Sequence, residues 1–119
     1  MTIARDLSKI LDANGDLNID ANTLFVDSST NSVGIGTTSP SEKLEVNGNI
    51  RVGVGSETAP SLQIGDNDTG IFDAGANAIG FTTAGTEKVR IVSGGSVAIG
   101  ATSASQKLHV EGSIYTSGI

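Results

Sequence analysis

With 119 residues, no cysteine and a net charge of −6, the chain is one small domain or a short piece of a fibre, without a disulfide framework or a thiolate metal site. Scattered lysines and arginines exclude a basic face for DNA or an anionic membrane, and no apolar run reaches the length of a bilayer span. Leu, Ile, Val and Phe total 31 residues, enough to exclude disorder, but they come in short runs among 16 glycines, so the chain is expected to oligomerise rather than enclose a core alone.

In chain order, the opening MTIARDLSKI lacks the apolar centre of a signal peptide, so a Sec-exported precursor is not expected. Ile3, Leu7, Ile10 and Leu11 fall at i, i+4, i+7 and i+8, which is one apolar stripe on a helix over 2–13, with Thr2 as its cap and Asn14-Gly15 as its stop. About three turns are marginal in isolation. The stripe therefore needs a partner, either its own chain or a short parallel bundle at one end of an oligomer. Leu17 and Ile19, then Leu24 and Val26, alternate weakly as strands; residues 28–32 read as a turn, and 24–27 with 33–36 as a hairpin. Ser39-Pro40 has the form of a helix start, but Leu44 arrives too soon for more than a single turn.

Leu44, Val46, Ile50, Val52 and Val54 share one parity that runs through Gly48. That pattern favours a continuous strand, with glycine on the inner face close to another backbone, over an Asn47-Gly48 hairpin. After a loop over 55–60, Leu62 and Ile64, Ile71 and Phe72, Ile79 and Phe81, and Val89 and Ile91 make short strands. They are parted by turns at GDNDTG, DAGANA, TTAGTEK and GGS.

One stretch occurs twice. VGIGTTSPSEKLEVNGNI (33–50) returns as VAIGATSASQKLHVEGSI (97–114), 64 residues on, with 11 of 18 positions identical. Val33, Ile35, Leu44, Val46, Gly48 and Ile50 return as Val97, Ile99, Leu108, Val110, Gly112 and Ile114. Thr38, Ser39, Ser41 and Lys43 return as Thr102, Ser103, Ser105 and Lys107. Self-similarity at a fixed period marks an array or a shaft before it marks an active site. Each apolar set lies on one strand face and is expected to face a shared interior.

Motifs for chemistry are weak. DANGDLNID alternates Asp12, Asn14, Asp16, Asn18 and Asp20, which echoes an EF-hand loop, but glycine stands at the fourth position rather than the sixth and no Glu at the twelfth. A solvated turn is the expectation there and at GDNDTG. The glycine-rich GVGSET and VGIGTT lack the lysine spacing of a phosphate loop. His109 is the sole histidine and aligns with Glu45, which points to a solvent-facing strand position rather than a catalytic base. No serine has an elbow motif, and no pair of the 13 acidic residues is singled out as a glycosidase couple. An enzyme is not expected, nor a cofactor or a metal.

Residues 68–114 resemble bacteriophage tail-fibre modules. Those modules run D-T-G-I-F, A-N-x-I/L-x-F, G-T-E-x-V/M-R-I, V-G-I-G-T-T-S-P and K-L-x-V-x-G, and commonly stand upstream of a self-cleaving intramolecular chaperone domain. Asp68 to Phe72, Asn77 to Phe81, Gly85 to Ile91 and both copies of the repeat match, and the likeness extends over about 24–114. Neither the chaperone domain nor a receptor-binding tip is recognisable.

The resemblance implies a mainly β, elongated, repeat-containing homotrimeric fibre segment of a virion with a short N-terminal helix, serving host attachment. Its parts would be an attachment segment (1–22), a first β repeat (23–54), intervening short strands and turns (55–86) and a second β repeat (87–119). Ile3, Leu7, Ile10 and Leu11 would serve trimer formation and attachment to other virion structural proteins. The twelve repeated apolar and glycine positions would form the shaft core. A host surface receptor is a further expected partner; nucleic acid and membrane insertion are not. A second resemblance, of SVAIGATSAS (96–105) to the head repeats of bacterial trimeric autotransporter adhesins, gives the alternative. Those heads repeat far more closely than 64 residues, and an export signal is not expected from MTIARDLSKI.

Overall fold

The computed structural model describes residues 11, 13–20 and 23–118. They fall into two compact units that divide between Arg51 and Val52, and every regular element among them is a strand.

The first unit is one four-stranded sheet of β1 (Leu17–Ile19), β2 (Leu24–Asp27), β3 (Ser32–Ile35) and β4 (Leu44–Val46), in that spatial order. The expected hairpin is present: β2 and β3 pair antiparallel with Val26 opposite Val33. Its turn is set by Asp27, whose Oδ1 accepts from Ser29 N–H (2.8 Å), Ser29 Oγ (2.6 Å) and Thr30 N–H (3.1 Å), while Asn31 takes a φ of 55°. β3 and β4 run parallel, joined by eight residues, 36–43. So short a connection must cross the sheet closely. A Cβ on Gly34 would collide with the Thr37 carbonyl oxygen, so the connection passes directly over that glycine.

The second unit is a six-stranded sheet, in spatial order β10-β9-β8-β7-β6-β5. Its strands are β5 (Leu62–Gln63), β6 (Gly70–Asp73), β7 (Ile79–Thr83), β8 (Thr86–Ile91), β9 (Val97–Ile99) and β10 (Leu108–Val110). β5 to β9 form an antiparallel meander, and β10 returns parallel to β9 across residues 100–107.

The two like-sequenced stretches take the same local arrangement. Val33 N–H donates to Lys43 O and Val97 N–H to Lys107 O, each at 2.9 Å; Asn47 N–H donates to Ile35 O and Glu111 N–H to Ile99 O, again at 2.9 Å. Lys43 Nζ reaches Thr30 O at 2.7 Å and Lys107 Nζ reaches Gly94 O at 3.1 Å, so each lysine ties its crossover to the preceding turn. Gly36 (φ 72°) and Gly100 (φ 73°) open the crossovers in the left-handed region that favours glycine.

Some expectations fall outside the described residues and others need correction. The helix expected over 2–13, with Ile3, Leu7 and Ile10, lies outside the described residues except at Leu11 and Ala13; Leu11 makes an antiparallel bridge to Leu17. The segment 1–22 contributes β1 to the first sheet. No helical turn forms at Thr38–Glu42, because the eight-residue crossover is spent on spanning the sheet. The strand expected to continue through Gly48 and Gly112 stops at Val46 and Val110. Gly112 bends with a φ of 139°, and no atom lies within 4 Å of a Cβ built at either glycine, so within the chain neither is a site of close approach.

Candidate functional site

Pairing register decides what each sheet shows on its two faces, because residues opposite one another across a ladder point the same way. In the first unit one face carries two rows running across all four strands: Leu17, Val26, Val33 and Leu44, beside Ile19, Leu24, Ile35 and Val46. In the second unit the long row is Leu62, Ile71, Phe81, Val89, Ile99 and Val110, one residue from every strand. Beside it run Ile79, Ile91, Val97 and Leu108, with Asp73 at the margin.

These rows are the open side. Leu44 is 59% exposed, Leu108 57%, Ile35 41% and Ile99 40%. Val33, Val46, Val97 and Val110 are half-buried. The expected core residues therefore do share a face in each unit, but within a single chain that face is uncovered. Ile50 (69% exposed) and Ile114 (66%) lie beyond the strand ends and in neither set of rows.

The opposite faces are closed by the chain itself. Phe25 pairs with Gly34, and Phe72 lies over Gly80, with the ring Cζ 2.5 Å from where a Cβ would stand; both rings are buried. In the second unit a register shift between Phe81 and Thr82 pairs Thr82 with Glu87. This bulge moves Glu87 off the parity of Val89 and onto the closed face. There its carboxylate accepts two hydrogen bonds from Arg90, both at 2.6 Å, with the Glu87 side chain 8% exposed. Those bonds hold the Arg90 guanidinium above its ordinary pKa. Buried Thr82 donates from Oγ1 to Glu57 O at 2.7 Å, pinning the 55–60 loop.

A shallow cleft of about 420 Å³ opens on this unit, lined by Glu57, Glu87, Glu111, Thr102 and Ser103 among others. His109 is half-buried rather than solvent-facing, with Nδ1 3.1 Å from Ser105 Oγ and Nε2 3.5 Å from Glu111 Oε2. In the first stretch Glu45 does the same work: its Oε2 accepts from Ser41 N–H and Oγ, both at 2.8 Å, and the backbone bond foremost lowers its pKa. The shared task is to fasten the end of a crossover.

Asp16 is buried, not solvated. Its Oδ1 accepts from Ser28 N–H at 2.7 Å and Ser28 Oγ at 2.9 Å. Among the described residues no three His, Asp or Glu side chains are grouped to hold a metal ion.

Sequence reading missed the Glu57–Thr82 and Glu87–Arg90 anchors. Both depend on a bulge and on a loop returning across the sheet, and neither leaves a periodic signal. No protein-family model matches this chain, and no curated protein matches it.

Proposed function

We propose that the chain is a structural segment of a virion fibre, a tail fibre or similar appendage, in which three copies share one core. The open apolar face on each sheet carries the reading. In water those rows cost free energy, and covering them recovers it in every copy. The resemblance of residues 68–114 to phage fibre modules supplies the virion setting. In this reading the N-terminal segment joins the fibre to other virion proteins, and the shaft serves host attachment by mechanical reach.

Sedimentation equilibrium over a range of concentrations tests the assembly: the expected species has three times the 12.0 kDa chain mass. A compact, cooperatively folded monomer at all concentrations overturns it. Antibody labelling of intact particles in the electron microscope tests the setting, with label expected on an appendage.

A further inference from the structure

Asn47 and Gly48 follow β4 in an exposed bend, where the first crossover closes. Asn47 clips the two ends of that crossover together. Its N–H donates to Ile35 O at 2.9 Å and its Nδ2 to Gly36 O at 3.3 Å. Glu111-Gly112 holds the same place in the second unit, where Glu111 N–H donates to Ile99 O at 2.9 Å. One clip thus carries a side-chain amide and the other a carboxylate.

An asparagine amide followed by glycine is open to attack by the next backbone nitrogen, because no Cβ shields that nitrogen and glycine turns freely. Whether the attack proceeds in a folded chain depends on that nitrogen being available. Gly48 N–H makes no hydrogen bond to a described residue, and nothing lies within 4 Å of a Cβ built at Gly48. Other described asparagines differ. Asp68 N–H, after Asn67, donates to Asp66 Oδ1 at 3.3 Å, and Ala78 N–H, after Asn77, donates to Gly75 O at 2.9 Å. Asn18 and Asn49 precede β-branched isoleucines, and Ser32, after Asn31, is buried in β3. In the other Asn-Gly pair, Asn14-Gly15, Asn14 is engaged by a neighbour.

We propose that Asn47 is a site of spontaneous deamidation in the folded chain, and that its conversion opens the clip on the first crossover. The Gly48 amide gives its proton to solvent base, and its nitrogen bonds to Asn47 Cγ. The Cγ–Nδ2 bond breaks, and Nδ2 takes up a proton from solvent and leaves as ammonia. Water then opens the cyclic imide at either of its C–N bonds, which gives aspartate or isoaspartate with no change of oxidation state. In the aspartate product a carboxylate oxygen replaces the donor that faced Gly36 O. In the isoaspartate product the backbone is longer by a methylene at the same point. Glu111 escapes both fates: it has no amide to lose, and its longer side chain directs its carboxylate to His109 Nε2 at 3.5 Å. The second crossover therefore serves as a control within the same molecule.

The test holds the folded whole chain at mildly alkaline pH, samples it over time and digests it with trypsin. Cleavage after Lys43 and Arg51 releases residues 44–51, in which tandem mass spectrometry separates Asn47 from Asn49. Acid and isoaspartate forms are expected to build up at Asn47 while Asn49, Asn67 and Asn77 keep their amides, and Gly48→Ala should slow the conversion. Conversion spread evenly over the asparagines, or found at Asn14 with Asn47 intact, overturns the site. The converted chain, separated by its added negative charge, then goes to amide hydrogen exchange. Exchange at residue 47 should quicken roughly two- to tenfold, the loss of about one hydrogen bond, with Glu111 unchanged. Equal exchange before and after conversion overturns the opening of the clip.

Discussion

Ile99→Ala is the sharpest probe of the open face. Ile99 stands in the long row between Val89 and Val110 and is 40% exposed in the single chain. Full burial of such a side chain is worth roughly 1.5–3 kcal/mol. The exposed 40% leaves roughly 0.6–1.2 kcal/mol per copy to be gained on assembly, or roughly 2–4 kcal/mol over three copies. Truncation forfeits most of that gain, so the association constant should fall by roughly 20-fold to 400-fold at about 1.4 kcal/mol per decade. Sedimentation equilibrium over a concentration series measures it. Denaturant unfolding of the same variant registers the separate loss of packing within the chain. Gln106→Ala, on an exposed crossover position, is the control and should change neither quantity. An Ile99→Ala association constant equal to that of the parent chain refutes the assignment of this face to contact between copies.

Leu44→Asp combined with Leu108→Asp, at positions 59% and 57% exposed, should leave the strands paired but hold the chain at 12.0 kDa; assemblies of normal size would contradict the shared core. Removing residues 1–10, which spares the Leu11–Leu17 bridge and β1, should leave assembly intact and abolish incorporation into particles, read by their protein composition. Gly80→Val drives a side chain into the Phe72 ring and should lower stability by roughly 1–3 kcal/mol in denaturant unfolding, with an unshifted midpoint counting against the close approach. Hydrogen bonds, foremost from the Ser29 and Thr30 side chains, lower the Asp27 pKa from 3.8 to about 2. Its contribution to folding is therefore complete above pH 3.8 and is lost as pH falls through about 2, and carboxyl NMR should place its titration near that lower value.

Much of this chain could be read without coordinates. Period-two alternation places Leu24 and Val26, Val33 and Ile35, Ile79 and Phe81, and Val89 and Ile91 on strands, since only a pleated backbone puts every second side chain on one face. The polar run 28–32 and the glycine-rich segments mark the turns, whose positive φ and local hydrogen bonding are properties of a few adjacent residues; that Asp27 sets the first of them is seen only in the fold. The 64-residue self-similarity likewise indicates that one local design is used twice.

Tertiary structure alone decided the rest, because it depends on contacts between residues distant in sequence. Parity groups Leu44 with Val46 and Ile50, but where the ladder stops is set by the partner strand: β3 offers pairing to Val46 and no further. Parity also groups Glu87 with Val89, and the bulge in β8 places Glu87 instead on the closed face beside Arg90. The lysines and serines of the two stretches look like a polar middle in sequence; in the fold the lysines fasten the crossovers onto turns thirteen residues away, while Ser41 and Ser105 bond Glu45 and His109 four residues on. Alternation likewise separates two faces of a strand without saying which one the chain covers for itself. Here Phe25 and Phe72 close the glycine-bearing faces, and the richer apolar rows stay open, because hydrophobicity fixes what should be buried while chain connectivity fixes what can be reached.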